Sequence, residues 1–137
     1  MKAHCILIGL PDARLRERWT DALRARGYKV GETGRAFDLL RLAEIVESDV
    51  IVASYPFPTP DGTPLLRALR SASPDERENA PITRLAVAVL PEDAPLAEFQ
   101  RARGDGADLV LTDGVSPSSL AAELSELIRR NRARLLR

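Results

Sequence analysis

Cysteine, histidine and lysine are nearly missing from this chain of 137 residues, and aromatic side chains make up only 4% of it. The single cysteine, Cys5, excludes an internal disulfide and suits a reducing compartment. It lies in an apolar run, which reads as a buried, inert thiol. The single histidine, His4, has no ligand cluster around it, so Ser-His-Asp, Cys-His and His-based metal sites all lack their parts. Neither sign of charge is in excess: Lys+Arg and Asp+Glu are 20 each. That balance speaks against a dedicated nucleic-acid binder or a membrane-surface protein, both of which usually carry a basic surplus. The basic residues are almost all arginine, which we read as coding bias. No apolar stretch approaches the ~20 residues of a membrane span. The apolar start, Met1–Leu10, runs into Pro11 without a secretory pattern. A cytoplasmic protein with no membrane partner is expected.

What is present is enough for one compact domain: 45% hydrophobic and 29% charged residues. His4–Leu10 is a short continuous apolar run, as in a strand buried on both faces. Leu15, Trp19, Ala22 and Leu23 recur at helical spacing up to Gly27, with Trp19 expected in the core. Tyr28–Thr33 reads as a less apolar strand, nearer an edge. Phe37, Leu40 and Ala43 mark a second amphipathic helix. Asp49–Ser54 is the strongest strand, β-branched and uninterrupted. Tyr55–Gly62, with prolines at 56, 58 and 60, must be a loop, expected to pack on its own domain. Pro64–Ser71 reads as a third helix and Ser73–Pro81 as a polar connection. Leu85–Leu90, Glu92–Arg103 and Asp108–Thr112 follow as strand, helix and strand, with Gly104–Gly106 as the stop between the last two. Ser116 suits an N-cap before Pro117 and a long last helix. Five β-α units with short connections predict a parallel sheet covered on both faces, a doubly wound α/β domain.

Ligands of such sheets bind at the strand carboxyl ends, here Leu10–Asp12, Ser54–Gly62, Leu90–Asp93 and Thr112–Gly114. In this frame, Asp49-Val-Ile-Val-Ala-Ser54 with Pro58 and Asp61-Gly62 resembles the third strand and proline-containing loop of response-regulator receiver domains, the CheY-like superfamily. Gly106-Ala-Asp108 is similar to that family's segment before the fifth strand, and Ser116-Pro117 with Leu120 to the start of its last helix. The resemblance covers residues 1–128, leaving 129–137 as a basic extension. It implies a flavodoxin-like (βα)5 fold with strand order 2-1-3-4-5 and a role in two-component signalling or a phosphorelay. In the family, an aspartate ending the third strand accepts a phosphoryl group. An acidic pair holds Mg²⁺ and a lysine pairs with the phosphoryl oxygens.

Carried over residue by residue, that chemistry is missing. The acidic pair falls on Leu10 and Pro11, the acceptor on Ser54, and the lysine on Asp113. The hydroxyl that closes the fourth strand falls on Leu90 or Pro91, and the aromatic switch residue on Val110. Phosphoryl transfer relies on cations to neutralise the transferred group, and a serine hydroxyl without a base is a weak nucleophile. The implied protein is a pseudo-receiver: a non-enzymatic, phosphorylation-independent interaction module with no cofactor and no metal. It would bind a protein partner or form a homodimer through the fourth helix, fifth strand and fifth helix.

Two alternatives stand beside it. Asp12 and Asp61, with Glu92, Asp93 and Asp113, could rebuild a displaced site in a phosphorylatable single-domain regulator, although carboxylates at helix starts more often serve as caps. A flavodoxin-like small-ligand domain would need a phosphate-cradling loop after the first strand, and Gly9-Leu-Pro-Asp12 is too short for one. At the other end, Leu124, Ile128, Asn131 and Leu135 have the 4-3-4 spacing of a short coiled-coil seam. Against it stands a solvated basic helix end, and nucleic-acid binding by that end is disfavoured by the neutral net charge.

Overall fold

The computed structural model describes residues 4–70 and 84–135. Among the described residues, five strands alternate with five helices: β1 Cys5–Gly9, α1 Ala13–Ala25, β2 Lys29–Thr33, α2 Ala36–Ile45, β3 Val50–Ser54, α3 Leu65–Arg70, β4 Leu85–Leu90, α4 Leu96–Gly104, β5 Leu109–Thr112 and α5 Pro117–Leu135. All pairings are parallel, in the order β2-β1-β3-β4-β5. This is the flavodoxin-like, doubly wound architecture expected from the sequence.

Strand residues alternate between two faces, and both faces are covered. Ile6 and Ile8, Val50 and Val52, and Val87 and Val89 meet Trp19 and Leu23 of α1 and Leu120, Leu124 and Ile128 of α5. On the opposite face, Leu7, Ile51 and Ala53 meet Ala36, Leu39 and Ala43 of α2 and Leu65 of α3. Ala86, Ala88 and Leu90 meet Leu66 of α3 and Ala102 of α4. The central strands are therefore apolar up to Ser54 at the end of β3, whereas β2, Lys-Val-Gly-Glu-Thr, is a half-exposed edge.

Local signals set the element ends. Asp12 caps α1, accepting from the backbone N–H groups of Arg14 at 2.9 Å and Leu15 at 3.2 Å. Gly27 follows the helix with φ +91°, a conformation that costs glycine little. Ser116 Oγ accepts from the Ser119 N–H at 3.1 Å and begins α5. That helix spans 19 residues, about 28 Å at 1.5 Å per residue.

Several expectations need correction. The inward register of α2 is Ala36-Leu39-Ala43, so Phe37 points outward at 47% exposure. Helix α4 begins at Leu96 rather than Glu92, because Pro95 supplies the extended residue that precedes its first turn. Cys5 is only half-buried, with its thiol pKa raised first by burial and then by Asp49. His4 does have an acidic neighbour: Asp49 Oδ2 lies 3.5 Å from its Nδ1 and also accepts the Cys5 N–H at 2.8 Å. The coiled-coil seam fails at its first two positions, because Leu124 and Ile128 belong to the domain's own core. Asn131 is half-buried, and the side chain of Leu135, like the Ser73–Pro81 segment, lies outside the described residues. No helix among the described residues is long and apolar enough to cross a membrane.

Trp19 is fully buried, and its Nε1–H donates to the Val115 carbonyl at 3.3 Å, tying α1 to the start of α5. Trp19→Ala is expected to lower unfolding free energy by about 3–5 kcal/mol, measured by urea denaturation followed by far-UV circular dichroism.

Candidate functional site

The face at the strand carboxyl ends is built from the β1–α1, β3–α3, β4–α4 and β5–α5 loops. Strand parity decides what each position presents there. Leu10 continues the Ile6-Ile8 series and turns into the α1/α5 core, where it is 2% exposed. Its carbonyl accepts from Arg16 Nη1 at 2.6 Å, which fixes the chain as it leaves the strand. Pro11 is exposed and carries no donor atom, and the Asp12 carboxylate is already used as the α1 cap.

Gly9 lies on the other face and is crowded by hydrocarbon. A Cβ built there would stand 2.3 Å from Leu39 Cδ2 and 3.0 Å from Phe57 Cε2. Phe57 is 8% exposed and part of the α2 cluster, with φ 48° in the left-handed region. Ser54 ends β3 beside Val89 of β4 and is half-buried. Strand β4 closes at Leu90, not Pro91: Leu90 is buried, and Pro91 is exposed in the following loop. Val110 of β5 is half-buried against the cluster between β4 and α4. Asp113 is exposed, and its backbone N–H reaches the Leu90 carbonyl at 2.9 Å. The Glu92 side chain occupies the space a Cβ at Gly114 would need.

The proline-rich loop packs inward, as expected. Tyr55, Phe57 and Thr59 are buried while Pro56, Pro58 and Pro60 face out. The Leu65 N–H bonds the Pro56 and Phe57 carbonyls at 3.1 and 3.2 Å, and the Thr59 N–H bonds the Thr63 carbonyl at 2.9 Å. Asp61 serves this loop. It accepts from Thr59 Oγ1 at 2.7 Å and the Thr63 N–H at 2.9 Å, and these bonds hold its pKa at about 2.

The residues do not fit a bound Mg²⁺. That ion demands hard oxygen ligands in near-octahedral geometry. The side chains of Leu10 and Pro11 offer none, while Asp12 and Asp61 are committed to capping and turn formation. Among the described residues no three His, Cys, Asp or Glu side chains form a group that could hold a metal ion.

Two contacts escaped the sequence reading because they join residues far apart in the chain. Tyr55 Oη donates to Asp105 Oδ2 at 2.6 Å, and Arg67 reaches the same carboxylate at 3.1 Å. A buried tyrosine must find a partner, but nothing local in the sequence names Asp105.

No family model matches the sequence, and no curated relative does. Solved structures do match. A CheY-like response regulator receiver domain from Methanospirillum hungatei superposes with TM-score 0.78 at 20% identity, covering 97% of this chain and 99% of that one. A chemotaxis response regulator of Vibrio cholerae gives 0.75 at 19% identity, covering 91% and 98%. The receiver domain of a Francisella response regulator gives 0.74 at 21% identity, covering 93% and 98%. The described residues thus share the fold of these receiver domains.

A carboxyl with a lowered folded-state pKa adds stability above its unfolded value, here 3.8. That contribution disappears as the pH falls toward 2. Thr59→Val is therefore expected to raise the Asp61 midpoint toward 3.8, measured by NMR titration of the side-chain carboxyl.

Proposed function

We propose that this chain is a pseudo-receiver: a signalling module that works through protein–protein contact and takes no phosphoryl group. The observation that carries the reading is the direction of the β1 end. Leu10 is committed to the core by strand parity, and Gly9 lies beneath Leu39 and Phe57. An acidic, metal-holding pocket would need carboxylates at Leu10 and Pro11, and neither side chain carries one. Asp113 adds negative charge where an incoming phosphoryl group would need a cation. The receiver fold of the neighbours supports a signalling role, and the side chains of Leu10, Pro11 and Asp113 support a non-enzymatic reading with no cofactor.

The partner surface in this reading is made by α4, β5 and α5. Strand β5 is the far edge of the sheet. Leu96, at the first position of α4, is 72% exposed, as expected for a contact residue rather than a core one. A partner protein or a second copy would bind there.

Incubation with a small phosphoryl donor and Mg²⁺, followed by intact mass spectrometry, is expected to leave the mass unchanged. A stable Mg²⁺-dependent adduct would sink the reading. For the homodimer form, sedimentation velocity is expected to show concentration-dependent association that Leu96→Glu weakens at least tenfold, about 1.4 kcal/mol. A strict monomer at high concentration removes the homodimer and leaves the partner protein.

A further inference from the structure

Between β4 and helices α3 and α4 the sheet presents Ala86 and Ala88, and α4 answers with Ala102. Three methyl groups leave a space, and the Tyr55 ring fills it at 6% exposure. Its hydroxyl ends on Asp105 Oδ2 at 2.6 Å. Asp105 is the C-cap residue of α4, with its own N–H bonded to the Arg101 carbonyl at 2.8 Å. Its second oxygen, Oδ1, accepts from Arg67 Nε at 3.2 Å and Nη2 at 3.1 Å. One carboxylate thus joins the end of β3, helix α3 and the end of α4.

A second arginine reinforces the join from one turn further along α3. Arg70 Nη2 donates to the Gly106 carbonyl at 2.7 Å and to Asp108 Oδ2 at 3.1 Å. Asp108 Oδ2 also accepts the Ala86 N–H at 2.8 Å. A Cβ at Gly106 would stand 2.7 Å from Arg70 Nε, so glycine makes this approach possible. The Tyr55 proton is held tightly: burial first, then the bond to Asp105, pushes the phenol pKa up to about 12.

We propose that Tyr55 is a conformational latch: its buried ring and its bond to Asp105 hold the end of α4 against α3 and β4. The latch stands on its own geometry. Its regulatory meaning rests on the reading above, because it would keep the α4 surface presented without chemistry at Ser54. Tyr55 follows Ser54 directly, so any change in the strand end reaches α4 through one residue. An outward Tyr55 would leave a void lined by alanines and remove one donor from Asp105.

Amide hydrogen exchange on the full chain, read by mass spectrometry, tests the latch. Tyr55→Phe keeps the ring and removes the hydroxyl; Asp105→Asn keeps the shape and removes the charge. Both are expected to raise exchange about tenfold in peptides from 55–64 and 96–104 together, the local opening that loss of one charge-assisted hydrogen bond produces. Peptides from β1, α1 and α5 should keep their wild-type rates. Asp105→Asn should also move the Tyr55 ionisation midpoint down from about 12, followed by ultraviolet absorbance. Unchanged exchange at 96–104 in both variants overturns the latch. So does a rise in only one of the two regions, or a rise shared equally by all elements, which would mark general destabilisation. The phosphoryl-donor experiment addresses a separate failure: an adduct there overturns the proposed function while the exchange result still decides the latch.

Discussion

The two-sided burial of β1, β3 and β4 governs everything else in this molecule. A strand sends alternate side chains to opposite faces, and a parallel sheet between helices has no wet face to absorb a mistake. Each residue near a strand end therefore inherits a direction from those before it. Ile6 and Ile8 point to α1 and α5, so Leu10 does too. Leu7 points to α2, so Gly9 faces Leu39 and Phe57. A one-residue slip would turn every side chain to the other face, and with both faces packed no slip is available.

That constraint ties core packing to the character of the strand-end surface. In a metal-binding version of this architecture, polar atoms must gather beyond the ends of β1 and β3. Here hydrocarbon from α2 and the proline-rich loop packs against Gly9 at the end of β1, and the carboxylates of Asp12 and Asp61 have local work. Asp12 satisfies backbone donors that a helix start leaves unpaired, and Asp61 stitches its own loop. The polar network lies lower down, where Tyr55, Asp105, Arg67, Arg70 and Asp108 connect α3, α4 and the two strands beside them. The small side chains of Ala86, Ala88 and Ala102 are what let an aromatic ring from β3's exit reach that network.

Much of the architecture was legible in the sequence. Apolar runs long enough for strands, glycine stops after Arg26 and Asp105, and the Ser116-Pro117 start are short-range signals, and each acts within a few residues. Departures came where a choice between faces was needed. Phe37 and Leu39 are both apolar, and only contact with Leu7 and Ile51 selects Leu39 as the buried one. Leu124 and Ile128 fit a seam between chains as well as a stripe toward α1, and packing chose the stripe. The residue types at the strand ends were visible in the sequence, but their side-chain directions and the Tyr55–Asp105 pairing were not.

The sequence by itself determined the alternation of strands and helices, the doubly wound class and the kinds of side chain at each strand end. Those properties come from local periodicity and turn chemistry, which act before the chain closes on itself. Tertiary structure alone decided that Leu10 is core, that Phe57 covers Gly9 and that Tyr55 meets Asp105. These depend on which surfaces meet after the sheet has formed, and partners fifty residues apart leave no local trace of each other.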